Sequence, residues 1–226
     1  MESDHGLYLA SVLLVPILIA VTFHEAAHGF IAYQLGDDTA WRAGRVTFNP
    51  LKHVDPFGTI VLPALLYMTS GFIFGYAKPV PVNFGRLRHP RRDTVLVALA
   101  GPGTNVLLAI VSSLLLYTLG QMPVSTVVLW FAFNLQVSIS INALLCVFNM
   151  LPLPPLDGGR VAVSILPRPI AFPLARLERY GMLIVLLLLF VSYAGRRYGI
   201  DPLNWLIFQP TQALGDFIRS VTGTSE

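Results

Sequence analysis

LYLASVLLVPILIAVTFHEAAHGFIAYQL, residues 7–35, is the stretch that decides the fold. It contains no Lys, Arg or Asp, and its one acid is Glu25. A membrane helix needs about 20 predominantly apolar residues, because each rises ~1.5 Å through a hydrocarbon core ~30 Å thick. This run is long enough. Glu2 and Asp4 precede it with no Lys or Arg, and it leads into His24-Glu25 with no small-residue cleavage site. It therefore reads as a retained span and not as a signal peptide. Gly36-Asp37-Asp38 stops it.

The composition agrees. Of 226 residues, 54% are hydrophobic and 12% charged, and the mean hydropathy is +0.66. Soluble domains carry about 25% charged residues, so this chain lacks the polar side chains to cover a water-facing surface. An integral, multi-pass membrane protein in a lipid bilayer follows, and residues 1–226 read as one domain. The net charge of +3 is small and its bases sit in loops, as membrane topology expects. No basic patch is interleaved with aromatic residues, so nucleic-acid binding is not expected. The one cysteine, Cys146, lies in an apolar run. It has no intrachain disulfide partner and reads as a small buried hydrophobe.

Outward from the first span, residues 37–57 are polar. Within them 41–48 reads as a short strand or hairpin, with turns at Asn49-Pro50 and Asp55-Pro56. Residues 58–76 are apolar but broken by Pro63, Gly71 and Gly75, which favours a re-entrant segment or paired half-helices over a full crossing. In 78–83, prolines at 79 and 81 forbid a helix and a central strand and fit an edge strand. Arg86, Arg88, Arg91 and Arg92 make the most basic loop, which the positive-inside rule places in the cytoplasm. Long apolar runs follow at 94–119 and 124–148, with shorter ones at 180–194 and 203–218. The expected fold is an all-α polytopic membrane protein of about five to six membrane segments with small membrane-associated β segments. Arg196 and Arg197 fit this topology poorly.

His24-Glu25-Ala26-Ala27-His28 is an H-E-x-x-H pattern on that first helix. Histidines at i and i+4 share one face, so both imidazoles reach one zinc, and the Glu between them can take a proton from a water held there. Two histidines and a glutamate inside an apolar span are expensive in lipid and need a reason. From His24 to Leu35 is ~16 Å of helix, so the metal lies below one membrane face and short of the midplane. Zinc there needs a third protein ligand and an open position. His5 lies near the other face, and His53 and His89 lie in loops. Asp157 is the only carboxylate between Asp93 and Glu178, at a predicted helix start after the proline-rich stretch 149–156.

His24-Glu25-Ala26-Ala27-His28-Gly29 together with Leu156-Asp157-Gly158-Gly159-Arg160 resembles the site-2 protease family of intramembrane zinc metalloproteases. Gly101 to Asn105 is similar to the family's Gly-x-x-x-Asn element, and the Asn149-to-Asp157 stretch also matches. No PDZ-like domain or CBS-like pair is recognisable, so the compact form of the family is expected. The resemblance implies that Asp157 is the third zinc ligand beside His24 and His28, with one Zn2+ per chain and Glu25 as general base. It implies that Asn149 and Asn105 contact the substrate backbone or the oxyanion. It implies that the edge at Pro79, Val80, Pro81 and Val82 pairs with an unwound substrate segment. The expected activity is hydrolysis of peptide bonds in transmembrane or membrane-associated proteins, in a prokaryotic plasma membrane with the site toward the cytoplasm. Two rivals are a zinc-binding membrane transporter, which would want ligands near the midplane and internal repeats, and a catalytically silent scaffold, which would lack one of His24, Glu25, His28 or Asp157.

Overall fold

The computed structural model describes residues 2–70 and 75–224. The chain forms α1 (Glu2–Gln34), α2 (Thr39–Arg42), α3 (Leu62–Ser70), α4 (Pro90–Leu119), α5 (Thr126–Asn149), α6 (Asp157–Ile165), α7 (Arg168–Arg176), α8 (Gly181–Gly195) and α9 (Gln209–Thr222). The helices α1, α4 and α5 pack against one another as the centre of the molecule, α6 docks on α4, and α9 lies against α4 and α5. Their packing follows from small residues. On α4, Ala98, Gly101, Asn105, Ala109 and Ser112 recur every three or four residues and are all buried. This is the spacing of one helix face, and the short side chains let backbones approach closely.

The distribution of polarity is inverted relative to a protein in water. Among the largest fully buried side chains are Asn105, Asn142, Asp37, Asp93, Ser113 and Ser192, while Leu107, Val111, Leu114, Leu115 and Phe131 point outward. Burying polar groups is tolerable only when they bond to one another, and exposing that much apolar surface is tolerable only in lipid. Three helices are long and apolar enough to cross a membrane: residues Ala10–Gln34, Pro90–Leu119 and Thr126–Asn149. The chain is thus an all-helical membrane protein. Residues 177–198 and 202–222 are helical as well, but 3-10 and π-helical stretches interrupt the regular α-helix in both, and neither is among these three.

Residues 56–58 and 75–76 lie side by side. The π-helical stretch Pro56–Val61 runs directly into α3, so the two form one short apolar helix. The Tyr76 N–H then donates to the Gly58 carbonyl (3.0 Å) and the Thr59 hydroxyl to the Tyr76 carbonyl (3.0 Å). These bonds hold Tyr76 beside Gly58 and Thr59, so residue 76 is on the same side of the bundle as residue 58.

The expected β segments do not form strands among the described residues. Residues 41–48 fold on themselves instead, with the Arg45 N–H donating to the Ala40 carbonyl (3.0 Å). Residues 77–83 join no strand ladder; the Lys78 N–H donates to the His53 carbonyl (2.9 Å). Pro79 and Pro81 have no N–H to give a ladder, and the link between the two segments is a side chain: Arg45 Nη2 donates to the Lys78 carbonyl (2.7 Å). His53, placed in a loop from the sequence, is nonetheless buried (3% exposed), with Nε2 bonded to the Thr47 carbonyl.

Candidate metal centre

Helix geometry puts His24 and His28 one turn apart on the face of α1 that meets α4. Their Nε2 atoms lie 3.1 Å apart. Asp157, the first residue of α6, brings Oδ2 to 3.3 Å from each of them. It reaches this position because the loop 150–155 folds back over the start of α6. A Cβ on Gly158 or Gly159 would strike that loop's backbone at Met150 or Pro154. Across the site, Gly101 of α4 leaves the space open: a Cβ there would lie 2.5 Å from His28 Nε2 and 2.6 Å from His24 Nε2.

The outer nitrogens decide the proton positions. His28 Nδ1 is 2.7 Å from the Val97 carbonyl, which can only accept, so Nδ1 carries the proton and Nε2 offers a lone pair. His24 Nδ1 donates to Asn105 Oδ1 at 2.6 Å, and its Nε2 faces the same point. Asp157 Oδ2 is buried with no hydrogen-bond partner. Three acceptors thus converge with no donor between them, an arrangement that is repulsive unless a cation stands there. Ligands at the corners of a zinc tetrahedron with bonds of ~2.0–2.1 Å are about 3.3 Å apart, which the observed 3.1, 3.3 and 3.3 Å approach. The residues fit the metal. Among the described residues this is the single group of three or more His, Cys, Asp or Glu side chains able to hold one.

Glu25 lies half-buried beside the group. Its Oε2 accepts the Val80 N–H at 2.7 Å, and the residues Glu25, His28, Val80, Val97, Asp157 and Arg160 line one small cleft. The extended segment is tied down at each end as well: Lys78 by Arg45, and Asn83 by its N–H to Asp37 Oδ2 (2.7 Å). Val80 is buried, Val82 is intermediate, and Pro79 and Pro81 are exposed, with Pro79, Val80 and Val82 all lining the cleft.

The structure therefore brings His24, Glu25, His28, Asp157 and the 79–82 segment together. Asn105 is also present but sits behind His24, fully buried, between the imidazole and α5. Asn149 is not in the cleft, and its amide donates to the Leu145 carbonyl of its own helix (3.0 Å). Asn142 was not singled out from the sequence, yet its Oδ1 accepts from Asn105 Nδ2 at 2.8 Å. A signal existed: an Asn inside an apolar span, four residues after Ser138, is a polar cost that needs a partner. Arg160, held over the Phe84 ring (4.9 Å), carried no comparable signal. His53 and Asp55 form no second metal group among the described residues.

No family model and no solved structure matches the chain. Curated relatives do. YwhC of Bacillus subtilis (strain 168) is 39% identical over 197 residues, covering 84% of this chain and 85% of its own. Rip2 of Mycolicibacterium smegmatis is 31% identical over 189 residues, covering 83% and 70% respectively. MJ0611 of Methanocaldococcus jannaschii is 31% identical over 155 residues, covering 66% and 67%. All three carry zinc-metalloprotease names, which implies Zn2+ as the metal and peptide hydrolysis as the chemistry. With that likeness over most of its length, and with a three-acceptor site able to hold a metal, the chain belongs to the site-2 protease family of zinc metalloproteases.

Proposed function

We propose that the chain is an intramembrane zinc endopeptidase that cleaves transmembrane or membrane-associated proteins, with His24, His28 and Asp157 holding the metal and Glu25 acting as general base. The observation that supports this most is the convergence of three buried acceptors beside a glutamate in a helix with an apolar outer face. Zinc, when bound, lowers the pKa of a coordinated water toward ~7 and polarises the scissile carbonyl. Glu25 takes the water's proton and returns it to the leaving amine. The Val80 N–H engages one oxygen of that carboxylate and leaves the other for the proton. A substrate helix buries its carbonyls in i→i−4 bonds, so it unwinds before cleavage, and the released segment lies beside Pro79, Val80, Pro81 and Val82.

Residues 1–226 act as one multi-pass domain. Counted with the three spans, the apolar helix around α3, which enters the membrane without crossing it, and the helical segments 177–198 and 202–222 bring the membrane segments to six. The basic stretch read from sequence as a loop is a short connection at 86–89 followed by the first turn of α4, which carries Arg91 and Arg92, and it meets the end of α1 nearest the site: the Arg88 N–H donates to the Leu35 carbonyl (3.1 Å) and Arg86 pairs with Asp38 (3.0 Å). Its arginines put that end on the cytoplasmic side of the plasma membrane.

The test is cleavage of a single-span substrate reconstituted with the protein, comparing the parent with Glu25→Gln. Gln keeps the shape and cannot accept the proton, so activity should fall by at least ~10²–10⁴-fold with zinc retained. Parent-like cleavage by Glu25→Gln, still blocked by 1,10-phenanthroline, would remove the base role. Indifference to both mutation and chelator would favour the transporter or scaffold reading, since neither needs a base.

A further inference from the structure

Behind His24 a line of hydrogen bonds crosses from α1 through α4 to α5. We propose that Asn142 and Asn105 are positioning residues that hold His24 with its proton on Nδ1, and that they thereby raise the affinity of the site for zinc. The direction of each bond follows from one fixed point. Asn142 Nδ2 lies 2.9 Å from the Ser138 backbone carbonyl, and a carbonyl only accepts. The amide nitrogen of Asn142 is therefore turned to Ser138, and its Oδ1 must face Asn105. Asn105 answers with Nδ2 at 2.8 Å, a group that also lies 3.4 Å from the Ala20 carbonyl. Asn105 Oδ1 is then left for His24, whose Nδ1 must be the donor at 2.6 Å.

Both asparagines are fully buried (0% exposed), so water cannot substitute for either partner. A flip of one amide would put two donors or two acceptors against each other at both of its ends. A backbone carbonyl on α5 thus dictates, through two side chains, which nitrogen of His24 offers its lone pair. The inference rests on the reading that His24 is a zinc ligand. It gives Asn105 work that needs no contact with substrate, and it gives Asn142 a role at the site although it touches neither metal nor cleft.

The experiment uses the full chain in detergent micelles. Nitrogen-15 NMR of the histidine-labelled, zinc-free parent, with His24 assigned from His24→Ala, should show the Nδ1–H form. Asn142→Leu should shift it toward a mixture. Zinc dissociation constants, from competition with a chelator of known affinity, should weaken by ~10–100-fold in Asn105→Leu and by a smaller factor in Asn142→Leu. The double variant should be no weaker than Asn105→Leu alone, because the second residue acts only through the first. A residue that merely joined the helices would lower the Tm and leave the tautomer and the zinc constant unmoved, and that result overturns the proposal. An Nε2–H form of His24 in the parent overturns it without any variant having to fold. If the parent shows the Nδ1–H form and yet binds no zinc, the positioning holds and the metal reading fails.

Discussion

Gly101→Ala places one methyl group where the structure leaves room for the metal. The new Cβ would sit 2.5 Å from His28 Nε2 and 2.6 Å from His24 Nε2, against ordinary contact at 3.4 Å or more. The imidazoles must therefore retreat by about 0.9 Å, several times the ~0.2 Å that a metal–ligand bond tolerates. Zinc held by four ligands contributes ~10–16 kcal/mol in structural sites, so disabling one ligand costs on the order of 3 kcal/mol, or about 100-fold in affinity. The expected outcome is that purified Gly101→Ala weakens zinc binding by at least that factor, measured as metal content and by chelator competition. Gly103→Ala is the control, because a Cβ at that position of the same helix meets nothing within 4 Å. Both changes gain ~0.5–1 kcal/mol of helix propensity, so a difference between them reports the site and not the helix. Parent-like zinc affinity in Gly101→Ala would refute the assignment of this space to the metal.

Asp157→Asn should lose zinc by ~10²-fold or more, since it removes the one anionic ligand. Its amide can donate to the imidazole lone pairs that the carboxylate only faces, so the zinc-free Tm should not fall, and added zinc should no longer raise it. A fall in the zinc-free Tm with zinc affinity intact would reverse both roles. A cysteine at Arg88, with Cys146 replaced, should react with impermeant thiol reagents only from the cytoplasmic side, and labelling from outside alone would invert the topology.

Much of the site was legible because its geometry is local. His24 and His28 share a face through the 3.6-residue repeat alone, with Glu25 beside them, and no tertiary contact is needed to predict that. The apolar composition likewise required lipid-facing surfaces before any helix was placed. That Asp157 would lie beside the two histidines was legible through family resemblance, although 129 residues separate it from His28. The remaining features depended on distances between helices, which no short window encodes. Asn105 could have faced substrate, yet the packing of α4 against α1 and α5 turns it to His24 and Asn142. Asn149 ends α5 with its amide folded onto its own helix. Tyr76 lies beside Gly58 and Thr59, a pairing that no short window around either predicts. Residues 77–83 have strand character in their proline pattern but no ladder, because their backbone groups bond to His53, Arg45, Glu25 and Asp37. The sequence by itself determined which side chains could hold a metal and that the surroundings are apolar, since both follow from residue type and helical period. Only the tertiary structure decided which buried amide faces which, since a buried polar group takes whatever partner the packing brings within hydrogen-bond reach.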